Sequence, residues 1–330
     1  MAKFQRILLT GGAGFVGSHL APFLAEDFPD AERWLLTLRG GGDVAGDGWR
    51  RVEGDLLDLA VLDQTVEQLR PDLVVHLAGQ ASIGKALHGG EQTWRVNLVG
   101  SLHLAGALAR YAPNATVLFA SSATVYGETL LEGAVREDAP LRPLDAYGRS
   151  KAAAEGMFGD VLAPEARLIV VRPVNHTGPR QSEKNFVLAS FAAQVAAIEA
   201  GRMDPVLRVG DLSKARDFLD VRDVVAAYRL LLKRADLLGH RHTTFNIASG
   251  APRQIRDFLD GLQKRAKRRF ALEVQPALLR PAAVDLPSVS LDASKLREVT
   301  GWAPTHSVDD MLDDLLEHWR RVETKRAEAL

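Results

Sequence analysis

Tyr147 and Lys151 stand four residues apart in LDAYGRSKAAAEGMF, residues 144–158. The alanines and Glu155 that follow predict a helix over 147–162, and side chains four apart on a helix share a face. A phenol, with an unperturbed pKa near 10, exchanges its proton poorly at neutrality. A neighbouring ammonium favours the phenolate and is expected to lower that value. The pair is therefore a candidate for trading a proton with a substrate oxygen, although a surface tyrosine and lysine on an amphipathic helix would look the same. What raises it above chance is FASSATVYG, residues 119–127, which begins at the carboxyl end of an expected strand. Ligands of open α/β sheets bind beyond such ends, and Ser122 and Thr124 there can hydrogen-bond the same oxygen. Serine as an ester-forming nucleophile is the poorer reading, because no G-x-S-x-G elbow is present.

A second constellation is LLTGGAGFVGSHL, residues 8–20, a glycine-rich turn between an expected strand and an expected helix. Gly12, Gly14 and Gly17 satisfy G-x-G-x-x-G, while Gly11, Gly14 and Gly17 give the wider G-x-x-G-x-x-G spacing. Glycine serves where a turn is tight, where backbone approaches a pyrophosphate and where helix packs on strand. The helix N-terminus adds free N–H groups and the positive end of its dipole. Gly11, Gly14, Phe15, Val16 and Gly17 are accordingly candidate dinucleotide contacts. The adenosine ribose is usually gripped by an acid about 20 residues on, yet Leu36-Thr37-Leu38-Arg39 contains none. Arg39 either pairs with a 2′-phosphate, which a guanidinium matches bidentately, or is a solvated loop residue. The expected cofactor is thus NADP(H), with NAD(H) the alternative. Asp55 and Leu56 of EGDLLD are placed for adenine contacts, and Leu77, Ala78 and Gly79 of HLAGQ where backbone passes close to the cofactor.

Positioning these residues falls to an alternation of short apolar runs with helix-length segments. RILLT (6–10), RWLLTL (33–38), DLVVHLA (72–78), ATVLFAS (115–121) and RLIVVRP (167–173) read as strands buried on both faces. Helices are expected near 15–26, 58–69, 91–111 and 147–162. The repeated order implies an α/β fold, a doubly wound parallel Rossmann sheet, with a smaller C-terminal α/β substrate-binding lobe. The dinucleotide domain is expected over 1–175, rejoined by about 215–250, and the substrate lobe over 176–214 and 251–330. Helices near 186–200, 219–235 and 307–324 and strands in PVLRVG and TFNIAS are expected in this second half. The basic cluster KRAKRR, residues 264–269, falls where a helix beginning near 253 should end, and positive charge there complements the helix dipole.

The chain has 330 residues, 46% of them hydrophobic, enough for a full core, and a formal net charge of −1. That balance gives no field for nucleic acid or an anionic membrane. The absence of cysteine excludes disulfides, thiolate zinc sites and thiol nucleophiles. His76, His88, His103 and His176 show no metal-site spacing, so no metal is expected. His176 is placed either facing the cleft or in packing. With no run of roughly 20 apolar residues and a short N-terminal apolar stretch better read as a strand, a soluble, cytoplasmic protein is expected.

TGGAGFVG, DLLD, HLAG, NLVG at 97–100, SSATVYG, YGRSK and RPVNHTGP follow one another in an order that resembles the extended short-chain dehydrogenase/reductase family. The resemblance spans essentially the full length. It implies Ser122, Tyr147 and Lys151 as the catalytic group, with Thr124 a helper and Lys151 also reaching a cofactor ribose. It places Pro173 and Asn175 near the nicotinamide and substrate, and homodimers through the Tyr147 helix and the 91–111 segment are common in it. Residues 172–201 and 209–225 are similar to the branch acting on GDP-linked 6-deoxy hexoses. Asn175, Phe186, Val187, Arg216 and Arg280 would then line a nucleotide-sugar pocket, the arginines as fixed cationic donors to a diphosphate.

That branch includes a 4,6-dehydratase and a 4-keto reductase, and NHTGPRQS and RDFLDVRDV look closer to the reductase. A dehydratase keeps an acid just after the active serine or threonine; Ala123 and Thr124 stand here, and neither titrates usefully. Ser-Ala-Thr also resembles nucleotide-sugar 4-epimerases. The expected activity is therefore NAD(P)H-dependent reduction of the C4 ketone of a GDP-linked keto-deoxy sugar. A 4-epimerase or 4,6-dehydratase is the alternative within the family, and a dinucleotide-binding sensor the alternative outside catalysis.

Overall fold

The computed structural model describes residues 2–41 and 48–328. Its centre is a seven-stranded parallel sheet of β1 (Arg6–Thr10), β2 (Glu32–Thr37), β3 (Trp49–Glu53), β4 (Leu73–His76), β5 (Thr116–Ala120), β6 (Arg167–Pro173) and β7 (His242–Ile247). The strand order is β3-β2-β1-β4-β5-β6-β7. Order reverses between β1 and β4, where ligands of doubly wound sheets bind beyond the strand ends.

Strand side chains alternate between two cores, as the pleat requires. Ile7, Leu9, Val75, Leu118 and Val171 pack beneath α1 (Phe15–Asp27), α6 (Val221–Lys233) and α8 (Ser294–Thr300). Leu8, Val74, Val117, Phe119 and Val170 pack beneath α2 (Leu59–Leu69), α3 (Gly100–Tyr111) and α4 (Ala146–Val161). Phe158 of α4 meets Phe119 of β5 with ring centroids 4.9 Å apart. Burying a phenylalanine contributes about 1.5–3 kcal/mol, so this contact anchors the helix that carries Tyr147.

A third core joins α5 (Val187–Glu199), α7 (Ile255–Arg265) and α9 (Val308–Glu328) over a parallel strand pair, Val206–Val209 with Ala271–Val274. Basic residues end α7 as the dipole favours, and Arg265 reaches Asp309 and Asp313 of α9 at 2.7 Å. The chain crosses between cores more often than its sequence suggests. Leu291, Ala293, Leu296 and Trp302, within the 251–330 stretch assigned to the substrate lobe, pack into the α1 side of the sheet. Residues expected as one helix over 91–111 are a short helix (Gly90–Trp94), a π-turn (Arg95–Val99) and α3. Among the described residues no helix is long and apolar enough to cross a membrane.

Candidate active site

One cleft of about 320 Å³ opens between the carboxyl ends of the strands and the third core. It brings together Gly11, Gly14, Phe15, Val16 and Gly17 of the glycine loop, Leu77 and Gly79 after β4, and Ser122 and Thr124 after β5. Tyr147 and Lys151 of α4, Pro173 and Asn175 after β6, and Phe186, Val187, Arg216 and Arg280 from the second half complete the candidates found there.

Asp145 caps α4, accepting from the Gly148 amide at 2.8 Å, and so fixes Tyr147 in the first helical turn. Asn97, in the π-turn, ties that helix to the loop after β4. Its Nδ2 donates to Ser150 Oγ at 3.0 Å and its Oδ1 accepts from the Gln80 amide at 2.8 Å. Ser150 in turn donates to the Tyr147 carbonyl at 2.8 Å.

Ser122 Oγ accepts from the Thr124 amide at 3.2 Å and from Thr124 Oγ1 at 3.0 Å. Its own proton is not used in either contact and is left for the Tyr147 phenol, whose pKa Ser122 works to lower. Burial pushes that phenol up to about 12; the Ser122 bond works against the rise and the Asp145 carboxylate adds to it. The direction corrects the expectation that Lys151 lowers it. Lys151 Nζ turns to the Ala120 carbonyl at 2.8 Å and lies 4.8 Å from the Phe119 ring centroid, so burial governs the phenol instead. Burial likewise lowers Lys151 itself to about 8, against the pull of Glu155. At neutral pH the site therefore holds a protonated phenol beside a largely charged ammonium.

The glycine loop fits a dinucleotide. A Cβ at Gly17 would stand 2.3 Å from the Gly11 carbonyl oxygen, and Gly11, at φ +73°, lies against the Ala78 backbone. The N-terminus of α1 has no side-chain cap and no acid in its first turn, leaving its amides for a pyrophosphate. Behind the loop, Thr10 Oγ1 accepts from the Ala78 amide at 3.2 Å and donates to His76 Nδ1 at 2.7 Å. His76 Nε2 then donates to Ser101 Oγ at 3.0 Å. Burial, and next Lys151, hold His76 neutral at a pKa of about 3, so the chain locks β1 to β4 without charge.

Four candidates sit elsewhere. Arg39 points into solvent, its side chain 95% exposed, with Glu53 3.9 Å away. Asp55 is exposed and accepts from the Leu57 amide at 3.0 Å. Leu56 is buried in the α2–α3 core, and Ala78 lies beside the cleft rather than on its wall. Arg216 is on the wall but not free. It pairs with Asp285 at 2.6 Å and donates to the Ala215 and Leu286 carbonyls, both at 2.8 Å. His176 does both things expected of it: it lines the cleft and stacks on Phe15 at 6.0 Å. Among the described residues no group of three His, Asp or Glu could hold a metal ion.

Asn97, Asp145, Gln80 and Tyr228 have places in or behind this cleft that sequence reading missed. Asn97 was visible in the NLVG motif, and Asp145 in the Asp-x-x-Gly spacing of a helix cap. Tyr228 had no motif.

The family model described as GDP-mannose 4,6 dehydratase matches residues 8–315. The chain is 33% identical to GDP-6-deoxy-D-mannose reductase of Pseudomonas aeruginosa over 324 residues, 96% of this chain and 97% of that one. A solved structure of RMD from Pseudomonas aeruginosa complexed with NADPH is similar at TM-score 0.76 and 31% identity, covering 96% of this chain and 100% of that chain. The UDP-glucose 4-epimerase of Thermus thermophilus in complex with NAD is similar at TM-score 0.81 and 30% identity, covering 96% and 99%.

Proposed function

The chain belongs to the GDP-mannose 4,6-dehydratase family, within the extended short-chain dehydrogenases/reductases, and from that premise we propose that it reduces GDP-4-keto-6-deoxy-D-mannose to GDP-6-deoxy-D-mannose. The observation that carries this reading is one wall-to-wall arrangement. The glycine loop, the Ser122–Tyr147–Lys151 group and the Arg216 and Arg280 side all face a single cleft. Residues of the loop and of α4 suit a nicotinamide dinucleotide, which when bound supplies hydride for the sugar C4. Ser122 and Tyr147 hold O4, and Tyr147 gives O4 its proton as the carbonyl double bond becomes single. A phenol pushed up to about 12 is in the right form for this donation. Lys151 faces the ribose side with its charge. Arg280 offers its guanidinium to the sugar diphosphate, while Arg216, held by Asp285, sets the position of that wall more than its charge.

Dehydration fits less well. Ala123 is buried, and Asp145, the one carboxylate on the cleft wall among the described residues, is engaged in capping α4. Epimerisation is the second reading, favoured by Ser122-Ala123-Thr124 and by the similarity to an NAD-bound epimerase. One assay separates them: consumption of NADPH and of NADH with the GDP-linked 4-keto sugar. Stoichiometric oxidation with release of the oxidised cofactor is expected, faster with NADPH if Arg39 meets a 2′-phosphate. Purified protein that keeps bound NAD and interconverts C4 epimers with no net oxidation overturns the reductase.

To the same reading belongs the proposal of a cytoplasmic homodimer through α4 and the 91–111 segment, supported by Val99 and Leu102, which are 38% and 41% exposed. Sedimentation equilibrium is expected to return the mass of two chains; the mass of one chain at micromolar concentration removes the dimer.

A further inference from the structure

Tyr228 is a second phenol in the cleft, and the chemistry above leaves it unused. It sits on α6, only 1% exposed, among the core residues of the α1 side, and yet it lines the cleft with Tyr147, Phe15 and Pro173. Its hydroxyl makes no hydrogen bond to any described residue. The enclosed orphan polar atoms among the described residues are those of Arg33, Trp34, Arg167 and Trp319; the Tyr228 oxygen is not one of them and opens onto the cleft. A hydroxyl on a cleft wall with no protein partner is left to a ligand or to water.

Its position narrows what that ligand is. The start of α6 abuts the glycine loop: a Cβ on Gly178 would stand 2.8 Å from the Val221 side chain and 3.9 Å from the Phe15 ring. Tyr228 therefore looks in from the glycine-loop side, while Tyr147 looks in from α4. The two phenols are near enough that Tyr147 adds to the effect of burial in holding Tyr228 protonated. A dinucleotide with its pyrophosphate on α1 and its reactive ring beside Tyr147 has to run between them. The sugar's side is different, built by Arg216, Phe218 and Arg280. A nicotinamide ring carries one neutral polar substituent, a carboxamide, whose oxygen accepts and whose nitrogen donates. A phenol can pair with either.

We propose that the Tyr228 hydroxyl is the hydrogen-bond partner of the nicotinamide carboxamide, setting which face of the ring turns toward Tyr147. The assignment rests on the dinucleotide reading of the cleft. It is tested by calorimetric titration of wild type and Tyr228→Phe with two probes: whichever of NADP+ or NAD+ the wild type binds more tightly, and the matching ADP-ribose fragment, which lacks the nicotinamide. Thermal melts of both free proteins accompany the titrations.

The variant is expected to bind the whole dinucleotide about tenfold more weakly, the loss of one hydrogen bond, and the fragment within twofold of wild type. Its melting temperature without ligand should be unchanged, since no bond within the protein is lost. Equal affinity of both proteins for the whole dinucleotide overturns the proposal. So does equal weakening toward both probes, or a lower melting temperature with binding intact, which marks a packing role. Wild type that binds neither probe overturns the dinucleotide reading itself and this assignment with it.

Discussion

Tyr147→Phe is expected to lower kcat for keto-sugar reduction by about 10³-fold while the dissociation constant for the dinucleotide stays within threefold of wild type. General acid catalysis by a positioned side chain is worth roughly 10²–10⁴ in rate, and phenylalanine keeps the ring while removing the one proton that reaches O4. Shape is preserved, because Tyr147 is 8% exposed and its helix is held by the Asp145 cap and the Asn97–Ser150 bond, none of which uses the phenol. On the proposed mechanism Ser122 still holds O4, so residual turnover is expected rather than none. Steady-state oxidation of NADPH gives kcat, and quenching of protein fluorescence by the dinucleotide gives the binding constant. A kcat within tenfold of wild type overturns the role of Tyr147. A binding constant that rises in step with the lost rate would mean that the phenol serves binding instead.

The residues legible in the sequence are those whose spacing is set by regular structure. Tyr147 and Lys151 were found because four residues make one helical turn, and Gly11, Gly14 and Gly17 because a tight turn into a helix admits little else. Ser122 was found because a parallel strand ends just before it. What spacing does not give is the surroundings. The expectation that Lys151 would lower the phenol treated two groups in isolation. In the fold, Lys151 is drawn to the Ala120 carbonyl, and burial acts on both groups in opposite directions.

Arg216 was seen as a cation, but its partner Asp285 lies 69 residues away and is brought in only by the segment that returns over the cleft. Asn97 lay within a quoted motif, yet its work depends on a π-turn, a local break in a helical pattern that reads as continuous. Tyr228 falls on the buried face of α6 and is indistinguishable by periodicity from a core residue. Only the cleft shows that its hydroxyl emerges.

Glu155→Gln is the second large effect, and it acts from beneath the site. Glu155 lies one turn beyond Lys151 on α4 and is paired with Arg172 of β6 at 2.5 Å, with side-chain exposures of 6% and 7%. Ser121 also donates to Glu155, and Arg172 donates to the Tyr126 hydroxyl at 2.8 Å. Glutamine keeps the size but strands a buried guanidinium without a counter-charge, which costs about 3–5 kcal/mol and is expected to lower the melting temperature on the order of 10 °C.

The same carboxylate raises Lys151 against its burial. Lys151 is held at about 8, below its ordinary 10.5, so the folded protein loses this proton at lower pH than the unfolded chain does. Below about 8 the buried ammonium opposes folding in full, and that penalty is relieved as pH rises from about 8 to 10.5. Activity should run the other way, because the proposed mechanism uses the charged form: kcat/KM is expected to fall above a pH near 8 in wild type. In Glu155→Gln the fall should begin at lower pH.

A double variant, Glu155→Leu with Arg172→Met, separates the two effects. Removing both charges should recover part of the stability, since a vacated pair costs less than a broken one, but not the position of the alkaline limb. If the limb stays where it is in all three proteins, Glu155 holds the fold together and leaves the charge on Lys151 to other groups.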